Sequence, residues 1–528
     1  MSVHHTRAPR PLPPPSASLL LMADNRLATI EEVVDEIGVG FFQWRLLCLC
    51  SITYAADAME IMLLSYLSPI LGELWSLSDT EVATVASVVF AGELIGAFFW
   101  GYVGDVFGRR ACIFLSLFTV ATTGLASSFC SSFGLLLCLR GLVGFGVAGI
   151  AVPFDLMMEH LPRRSRGPML VVYEFFWGVG SLFAAAAAWI ILPRYGIAIG
   201  WRYLTGLCSA PMWLALAAYP WLPESPDWLL AQGRVEEAAL ALRRLALVNG
   251  VAPPNVSLQL TSEGSQGMLE AGATSTLGLI RALFCGGMWR VTLILWVVYA
   301  SFGFTYYGAI IFFQRVFPTA ENATATDFAY SDDMVAASSE LAGTALTLLL
   351  IVSAGRVGTQ TLCFALAGAA MMGLYWEAAP HALTIGFAFV ARGCTLAANN
   401  AAWVITPELY PAATRATGHQ WATAAARAAA FATPYVAGSL SVGAVALAYG
   451  GVNLIAAVFP LLLPSLSKRE LRESEVEQTW PRRGTGSMRS SLHSGSYSGN
   501  SASPPDGLQE GAAAAAERLL PPAVGQNC

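Results

Sequence analysis

The sequence contains little charge. Only 12% of its 528 residues are Asp, Glu, Lys or Arg, which is about half the share found in soluble proteins. In contrast, 55% of the residues are hydrophobic and the mean hydropathy is +0.56. The apolar residues recur in blocks of about twenty, the length that crosses a hydrocarbon core of roughly 30 Å. The composition therefore argues against a string of soluble domains and predicts a protein that crosses the bilayer many times.

Motifs for enzyme chemistry, metal binding and nucleic-acid binding are also missing. The ten cysteines are scattered without a CxxC pair, and the six histidines show no ligand spacing. The sequence has no phosphate-binding loop and no recognisable pairing of a nucleophile with a base. The net charge of −6 provides no basic surface for nucleic acid. We therefore expect no enzyme activity, no catalytic residue, no metal, no cofactor and no nucleic-acid partner.

The apolar blocks predict twelve transmembrane helices, which we number as spans 1 to 12. Spans 1 to 6 lie at 42–70, 81–103, 111–131, 134–157, 168–193 and 201–222. Spans 7 to 12 lie at 288–316, 333–354, 359–379, 382–405, 417–440 and 441–464. The predicted fold is an all-α membrane protein with two six-helix halves, at 42–222 and 288–464, joined by a polar loop at 223–287.

Both ends of the chain are polar. Residues 1–41 form a predicted tail in which the segment 26–38 has the pattern of a short, acidic, amphipathic helix at the membrane surface. Residues 465–528 form a charged tail, rich in Ser and Gly, that we expect to be disordered.

The distribution of basic residues predicts the orientation, because short cytosolic loops carry an excess of Arg and Lys. Arg109 and Arg110 follow span 2 and Arg415 follows span 10, all on one side of the membrane. We therefore place that side and both termini in the cytosol. The sequon Asn322-Ala-Thr324 then lies outside, as glycosylation of Asn322 requires.

An internal repeat supports two related halves. The segments 159–166 and 408–415 both read Glu, then Pro at +3 and Arg at +7, at an offset of 249 residues (408 − 159). Arg140 in span 4 and Arg392 in span 10 are each followed by Gly, at an offset of 252 residues (392 − 140). Two parallel halves with a solute site between them are a known transporter plan.

Charged and amide side chains occur inside some spans but not others. A charge at the centre of a bilayer costs roughly 2.5–3.5 kcal/mol on insertion scales, so each one needs a protein-facing or water-facing environment. Spans 3, 6, 9 and 12 carry no charge in their central parts, and we expect them to face lipid while the others enclose a polar cavity. The predicted cavity residues are Asp57, Glu60, Glu93, Arg140, Glu174, Tyr306, Arg392, Asn399 and Arg427.

Several of these residues allow two interpretations. Asp57 and Glu60 are three residues apart and share a helix face. Two close carboxylates in a poorly solvated site repel each other, so one of them suits a proton carrier or a counter-charge for a cation. The alternative is a structural ion pair, for example with Arg140. Arg140 and Arg392 have the same two options, and Tyr306 is either a cavity residue or a packing residue.

One loop resembles a family signature. Residues 101–110, GYVGDVFGRR, resemble the GxxxDxxGRR loop of the major facilitator superfamily. The corresponding loop at 355–360 lacks the Asp and the second Arg. The resemblance implies the major facilitator fold and a cluster that latches the cytosolic side in one state. The predicted latch residues are Gly101, Asp105, Gly108, Arg109 and Arg110, together with two predicted pairs, Glu159 with Arg166 and Glu408 with Arg415.

Other motifs resemble particular branches of that superfamily. The sequence around Asp57 and Glu60, and Glu174-Phe-Phe-Trp177, resemble the branch of synaptic vesicle protein relatives and of niacin or aromatic acid transporters. This resemblance implies alternating-access transport of a small organic ion, a cation or a niacin-like carboxylate, either facilitated or coupled to protons. The alternatives are a sugar substrate, or a vesicle or membrane protein that keeps the fold without transport. We expect a monomer in a plasma or vesicle membrane.

Overall fold

The structure is a computed structural model that describes residues 26–253, 256–258, 281, 283–284, 288–317, 328–376, 378–410 and 415–463. The described part of the chain is almost entirely helical. The predicted disordered tail at 465–528 and the sequon at Asn322 lie outside the described residues, as do the side chains of Glu408 and Arg415.

Ten segments provide the spans. In the first half they are Phe41–Trp75, Asp79–Phe107, Arg109–Ser127, Phe133–Glu159 and Arg163–Ala217. In the second half they are Met288–Val316, Tyr330–Gly373, His381–Leu409, Arg415–Ser439 and Val442–Ala456. A 3₁₀ turn at Ala148–Ala151 interrupts span 4, and another at Phe459–Leu462 follows span 12.

Two of these segments contain two spans each. Arg163–Ala217 has 55 residues, and a straight helix of that length would extend about 80 Å, far beyond a hydrocarbon core of roughly 30 Å. Its backbone turns at Gly196, where φ is 68° and ψ is 164°. Tyr330–Gly373 turns in the same way at Gly355, where φ is 72° and ψ is 174°. Both positions need the left-handed backbone that glycine adopts without strain, so the ten segments form twelve spans.

Composition identifies most of these spans. Within the described residues, nine helical segments are long and apolar enough to cross a membrane, and two of the nine are the double spans. The remaining span, Arg415–Ser439, is less apolar because it is rich in Ala and carries polar residues such as Arg427. It packs against spans 2 and 7 rather than only against lipid, which explains how a weakly apolar helix is accommodated.

The two halves repeat the same close helix contact. In the first half, the backbone of Gly92 in span 2 lies directly against the carbonyl of Gly141 in span 4. In the second half, Gly343 in span 8 lies against the carbonyl of Gly393 in span 10. Any side chain at these positions would collide with the neighbouring backbone, so small residues are required where membrane helices approach this closely.

Large apolar side chains are exposed on the outer faces of most spans. Spans 3, 6, 9 and 12 expose them, for example Phe118, Leu214, Leu366 and Ile455. Spans with central charges do so too, for example span 4 at Leu142. The expectation that spans 3, 6, 9 and 12 are the ones that face lipid therefore stays a prediction.

A small cap covers one end of the first half. It consists of the helices Ile30–Ile37, Pro226–Ala231 and Val235–Val248, with a short parallel strand pair, Arg26–Ala28 and Val256–Leu258. We call this end of the bundle the Arg-rich face, because it carries the loop with Arg109 and Arg110, and we call the other end the far face. The predicted amphipathic helix is present at Ile30–Ile37, but its apolar side chains are buried against protein rather than in the membrane surface.

Candidate functional site

A central cavity of about 250 Å³ lies between the two halves. Spans 1, 2, 4 and 5 line it from the first half, and spans 7, 10 and 11 line it from the second. The lining runs from Asp57 and Arg427 at mid-membrane to Asp105 and Arg109 at the Arg-rich face, and includes no residue from the far ends of the spans. The cavity is therefore continuous with the Arg-rich face and closed toward the far face.

An ion pair crosses the cavity between the halves. Arg427 Nη1 in span 11 lies 2.6 Å from Glu93 Oε2 in span 2 and 2.5 Å from the Tyr307 hydroxyl. The contact with Glu93 has ion-pair distance but not the alignment of a hydrogen bond. Arg427 keeps 16% of its side chain exposed, whereas Glu93 is fully buried. Arg427 is the only guanidinium at mid-membrane depth in the described cavity lining, and it is already paired with a carboxylate.

Asp57 lies in the same part of the cavity. Its side chain is 4% exposed, and Oδ1 accepts no hydrogen bond from any described residue. A buried carboxylate oxygen without a donor is costly. Because Arg427 is paired with Glu93, a cation or a proton from the cavity is the partner that would satisfy Asp57.

Aromatic rings surround a third carboxylate. The Tyr54 hydroxyl donates a hydrogen bond of 2.9 Å to Glu174 Oε2. The Tyr54 ring stacks on Tyr173 at 4.4 Å and contacts Trp177 at 5.0 Å between ring centres. Rings of this kind beside carboxylates attract cations through their electron-rich faces.

The cavity is also aromatic near the Arg-rich face. Trp403 in span 10 meets His419 edge to face at 4.4 Å and meets Phe154 of the first half at 5.3 Å. His419 Nε2 has no hydrogen-bond partner among the described residues. Asn399 adds an amide to this wall.

Acidic groups outnumber basic groups along the cavity. The described lining contains five carboxylates and two guanidiniums, so the formal charge is −3 if all are ionised (2 − 5). The carboxylates are Asp57, Glu93, Asp105, Asp155 and Glu174, and the guanidiniums belong to Arg109 and Arg427. An excess of negative charge in a narrow, poorly solvated space raises the local concentration of cations.

Two predicted cavity residues form a separate ion pair. Arg140 Nη1 lies 2.8 Å from Glu60 Oε2, and both side chains are at most 2% exposed. Arg140 Nε also donates to Ser127 at 3.2 Å. Neither Arg140 nor Glu60 lines the cavity. In this structure Glu60 forms the ion pair with Arg140 that the alternative interpretation named, whereas Asp57 lines the cavity without Glu60.

Two further predicted cavity residues, Arg392 and Tyr306, do not line the cavity and belong to a buried series of polar contacts. Arg392 Nη2 lies 2.7 Å from Glu340 Oε1, and the Tyr306 hydroxyl donates to the same oxygen at 2.5 Å. Trp177 Nε1 in turn donates to the Tyr306 hydroxyl at 2.5 Å. Arg392 and Tyr306 thus lie behind the cavity wall. Of the residues in this series of polar contacts, only Trp177 lines the cavity.

The loop signature forms a cluster within the first half. Asp105 Oδ1 lies 2.6 Å from Arg109 Nη1, and Arg109 Nε lies 3.9 Å from Glu159 Oε1. The backbone N–H of Arg110 donates to Glu224 at 3.1 Å, which caps the start of span 3. Gly108 makes this turn possible, because its φ of 96° is unfavourable for other residues.

The remaining latch residues are arranged differently from the prediction. Arg166 does not pair with Glu159; its guanidinium lies 3.1 Å from Glu31 in the cap helix Ile30–Ile37. Gly101 lies directly against the Gln420 side chain of span 11, so it is a contact between halves. The pairing predicted for Glu408 and Arg415 concerns side chains outside the described residues.

The cavity residues that sequence reasoning overlooked include Tyr54 and Tyr173. Both carry usable signals. Tyr54 lies three residues before Asp57, on the same helix face, and Tyr173 directly precedes Glu174.

These features define a class of protein, a membrane carrier with two related helical halves around a central cavity. A family profile described as "Sugar (and other) transporter" matches residues 40–477. The chain belongs to this family of major facilitator superfamily transporters. It is therefore a multi-pass membrane protein with the twelve-helix fold, and the family resemblance and fold class predicted from the sequence are confirmed.

Similar proteins cover most of the chain. The Synaptic vesicle 2-related protein of Xenopus laevis is 34% identical over 495 residues, covering 88% of this chain and 87% of the relative. The Organic cation/carnitine transporter 7 of Arabidopsis thaliana is 32% identical over 493 residues, covering 86% and 98%. Among solved structures, the xylose transporter XylE from E. coli in a partially occluded inward-open conformation has a TM-score of 0.63 at 19% identity. It covers 80% of this chain and 98% of its own.

Proposed function

We propose that this protein transports a small organic cation by alternating access. The observation that carries the proposal is a buried carboxylate oxygen of Asp57 that accepts no hydrogen bond from any described residue, in a cavity lining where carboxylates exceed guanidiniums. A bound cation would supply the missing partner. It would also offset part of the free energy that burial of this charge costs.

The cavity has two complementary means of holding a cation. Asp57 and Glu174 supply negative charge, and the faces of Tyr54, Tyr173 and Trp177 supply electron-rich surfaces. The pairing of Arg427 with Glu93 keeps the mid-membrane guanidinium from repelling the substrate. A carboxylate substrate would instead have to compete with Glu93 for Arg427.

The relatives are compatible with this substrate class but do not decide it. One is named for organic cations and carnitine, another for synaptic vesicles, and the similar solved structures for xylose. We infer the orientation from the basic loops: with their side in the cytosol, the open side of the cavity and both termini are also in the cytosol. The structure then represents an inward-facing state, in a vesicle or plasma membrane. Proton coupling is proposed through Asp57, which could carry a proton when no cation is bound.

Uptake into proteoliposomes tests the proposal. Radiolabelled tetraethylammonium, carnitine, nicotinate and xylose would be compared with and without a pH gradient. We expect cation uptake, reduced about tenfold or more in Asp57→Asn because a close charge partner is lost. The matched control is Glu36→Gln, which removes an exposed carboxylate from the cap and should leave uptake unchanged.

Each alternative predicts a different result. Uptake of nicotinate or xylose without uptake of a cation would overturn the substrate class. Cation uptake that is equal in Asp57→Asn and wild type would overturn the role of Asp57. Cation uptake that ignores the pH gradient would leave facilitated transport and remove proton coupling.

A further inference from the structure

We propose that Tyr66 and Asp333 form a polar gate that closes the cavity toward the far face. The gate residues come from opposite halves, Tyr66 from span 1 and Asp333 from the start of span 8. Sequence analysis did not select either residue, and neither lines the cavity. The inference rests on the alternating access proposed above, but it concerns the opposite end of the transport path.

The gate is built around one carboxylate oxygen. The Tyr66 hydroxyl donates to Asp333 Oδ2 at 3.0 Å, and the side-chain amide of Gln314 in span 7 donates to the same oxygen at 2.6 Å. Tyr66 is fully buried and Asp333 is 2% exposed. Gln314 belongs to the same half as Asp333 and positions the carboxylate, while Tyr66 donates to it from the other half. Gln314 also donates a longer hydrogen bond of 3.5 Å to the Ser65 hydroxyl in span 1, which adds a second contact between the halves.

Neighbouring contacts seal the same end. The Tyr66 ring meets Phe328 edge to face at 5.1 Å, and the hydroxyls of Thr84 in span 2 and Tyr435 in span 11 lie 3.2 Å apart. Thr84 and Tyr435 also come from opposite halves. All of these contacts lie near the span ends of the far face, beyond the mid-membrane floor of the cavity.

The chemistry of the gate suits a contact that must break repeatedly. When the halves separate, Asp333 keeps the hydrogen bond from Gln314, and the Tyr66 hydroxyl can bond to incoming water. Opening therefore exchanges one hydrogen bond for another and leaves no charge without a partner, so the net free-energy cost of opening is small. In contrast, separating the Glu340–Arg392 pair would leave two buried charges without partners, which is far more costly.

Labelling of an introduced cysteine tests the gate without measuring transport. Ser68 lies one turn beyond Ser65, which contacts Gln314, and its buried hydroxyl has no partner among the described residues. The full chain with Ser68→Cys, in nanodiscs, would be treated with a charged, membrane-impermeant maleimide. Mass spectrometry of the peptide that contains position 68 would separate this site from the native cysteines.

We expect slow labelling with the gate intact, and about five- to tenfold faster labelling when Tyr66→Phe removes the hydroxyl. Asp333→Ala should have a similar effect, and combining the two should add little, because both variants remove the same Tyr66–Asp333 bond between the halves. The matched control is Tyr449→Phe, which breaks a buried 2.7 Å contact with Thr433 inside the second half. Its labelling should equal that of the intact gate.

Three outcomes would overturn the gate. They are unchanged labelling in both gate variants, equal acceleration by Tyr449→Phe, and fully additive effects in the double variant. None of them depends on which solute is transported. A failure of the gate is therefore distinguishable from a failure of the proposed cation transport, which the uptake assay tests separately.

Discussion

At the scale of single residues, the same residue types serve different purposes depending on their partners. Glu60 and Arg140 pair at 2.8 Å in a site with almost no exposure, whereas Arg427 pairs with Glu93 while still facing the cavity. The sequence predicted that all these charges face the protein interior, because lipid would penalise them. It could not assign the pairs, because residues three apart, such as Asp57 and Glu60, diverge with small rotations of the helix.

The Glu60–Arg140 pair leads to a prediction about stability. Arg140→Met alone should destabilise the protein by about 3–5 kcal/mol, because Glu60 is left as a buried charge without a partner. The double variant with Glu60→Leu should recover most of this loss. The measurement is the midpoint of thermal unfolding in detergent, followed by size-exclusion chromatography. A double variant as unstable as Arg140→Met would show that the charges do more than neutralise each other.

At the scale of elements, local chemistry predicted the helices better than their docking. The segment Thr29-Ile-Glu-Glu32 reads as a helix start, and the structure has both bonds of the capping box between Thr29 and Glu32. The sequence analysis placed the apolar face at the membrane surface, because the sequence could not distinguish lipid from protein as its partner. The helix is positioned by residues distant in sequence, for example Asn249, whose side-chain amide donates a 3.4 Å hydrogen bond to the carbonyl of Gly38 at the end of the helix.

Electrostatic contacts anchor the cap helix Ile30–Ile37 to the first half. Glu31 pairs with both Arg163 and Arg166, and Asp35 accepts a 2.7 Å hydrogen bond from the Arg163 backbone. Burial alone would raise the pKa of Glu31, but the hydrogen bonds and charges of the two arginines outweigh it and lower that pKa. Burial and the nearby Glu31 charge raise the pKa of Asp227 to about 6.

These shifts predict opposite pH effects on the cap. A carboxyl whose pKa is lowered in the folded state stabilises it above the unfolded pKa, and this stabilisation is lost as the pH falls through the folded pKa. Glu31 should therefore hold the helix at pH 7, and this contribution should be lost as the pH falls through its lowered folded pKa. Asp227 has a raised pKa, so its ionisation between about pH 4 and 6 should oppose docking.

Hydrogen exchange of residues 30–37 would measure the Glu31 contribution. Glu31→Gln should lower the protection factors at pH 7 about two- to fivefold, because partly exposed pairs contribute roughly 0.5–1 kcal/mol. The difference between wild type and variant should be smaller at pH 3.5, because protonation of Glu31 weakens its pairing with the two arginines. Glu36→Gln, on the exposed side of the same helix, should behave as wild type at both pH values. A loss of protection in Glu31→Gln that persists unchanged at pH 3.5 would contradict the electrostatic explanation.

At the scale of the whole molecule, the sequence repeat predicted two halves but not their asymmetry. The packing repeat is retained, since Gly92 meets Gly141 as Gly343 meets Gly393. The charges follow another rule. In the second half the span 10 arginine pairs with Glu340 of span 8, whereas in the first half the span 4 arginine pairs with Glu60 of span 1. Glu93 of span 2 is thereby left to pair across the cavity.

This asymmetry also explains why the latch could be predicted only in part. The sequence placed Asp105, Arg109 and Glu159 at one end of the bundle, and the structure brings them together. All three lie in the first half, so in this state they do not join the two halves. A latch between the halves would form only when the cavity closes on the Arg-rich face. This conformation is closed on the far face, so it contains the contacts of that end and not those of the latch.

The position of the cavity and of the Tyr66–Asp333 gate separates transport from a sensing role that keeps the fold. Both are built from residues within 26–463, which precede the polar C-terminal tail. Deletion of residues 466–528 should therefore leave cation uptake within about a factor of two of the full chain, as for changes remote from a site. Asp57→Asn in the shortened chain should still reduce uptake, which shows that the same cavity is used. If the shortened chain binds the cation but no longer moves it, the tail is part of the working cycle, and a signalling role coupled to the tail becomes the better explanation.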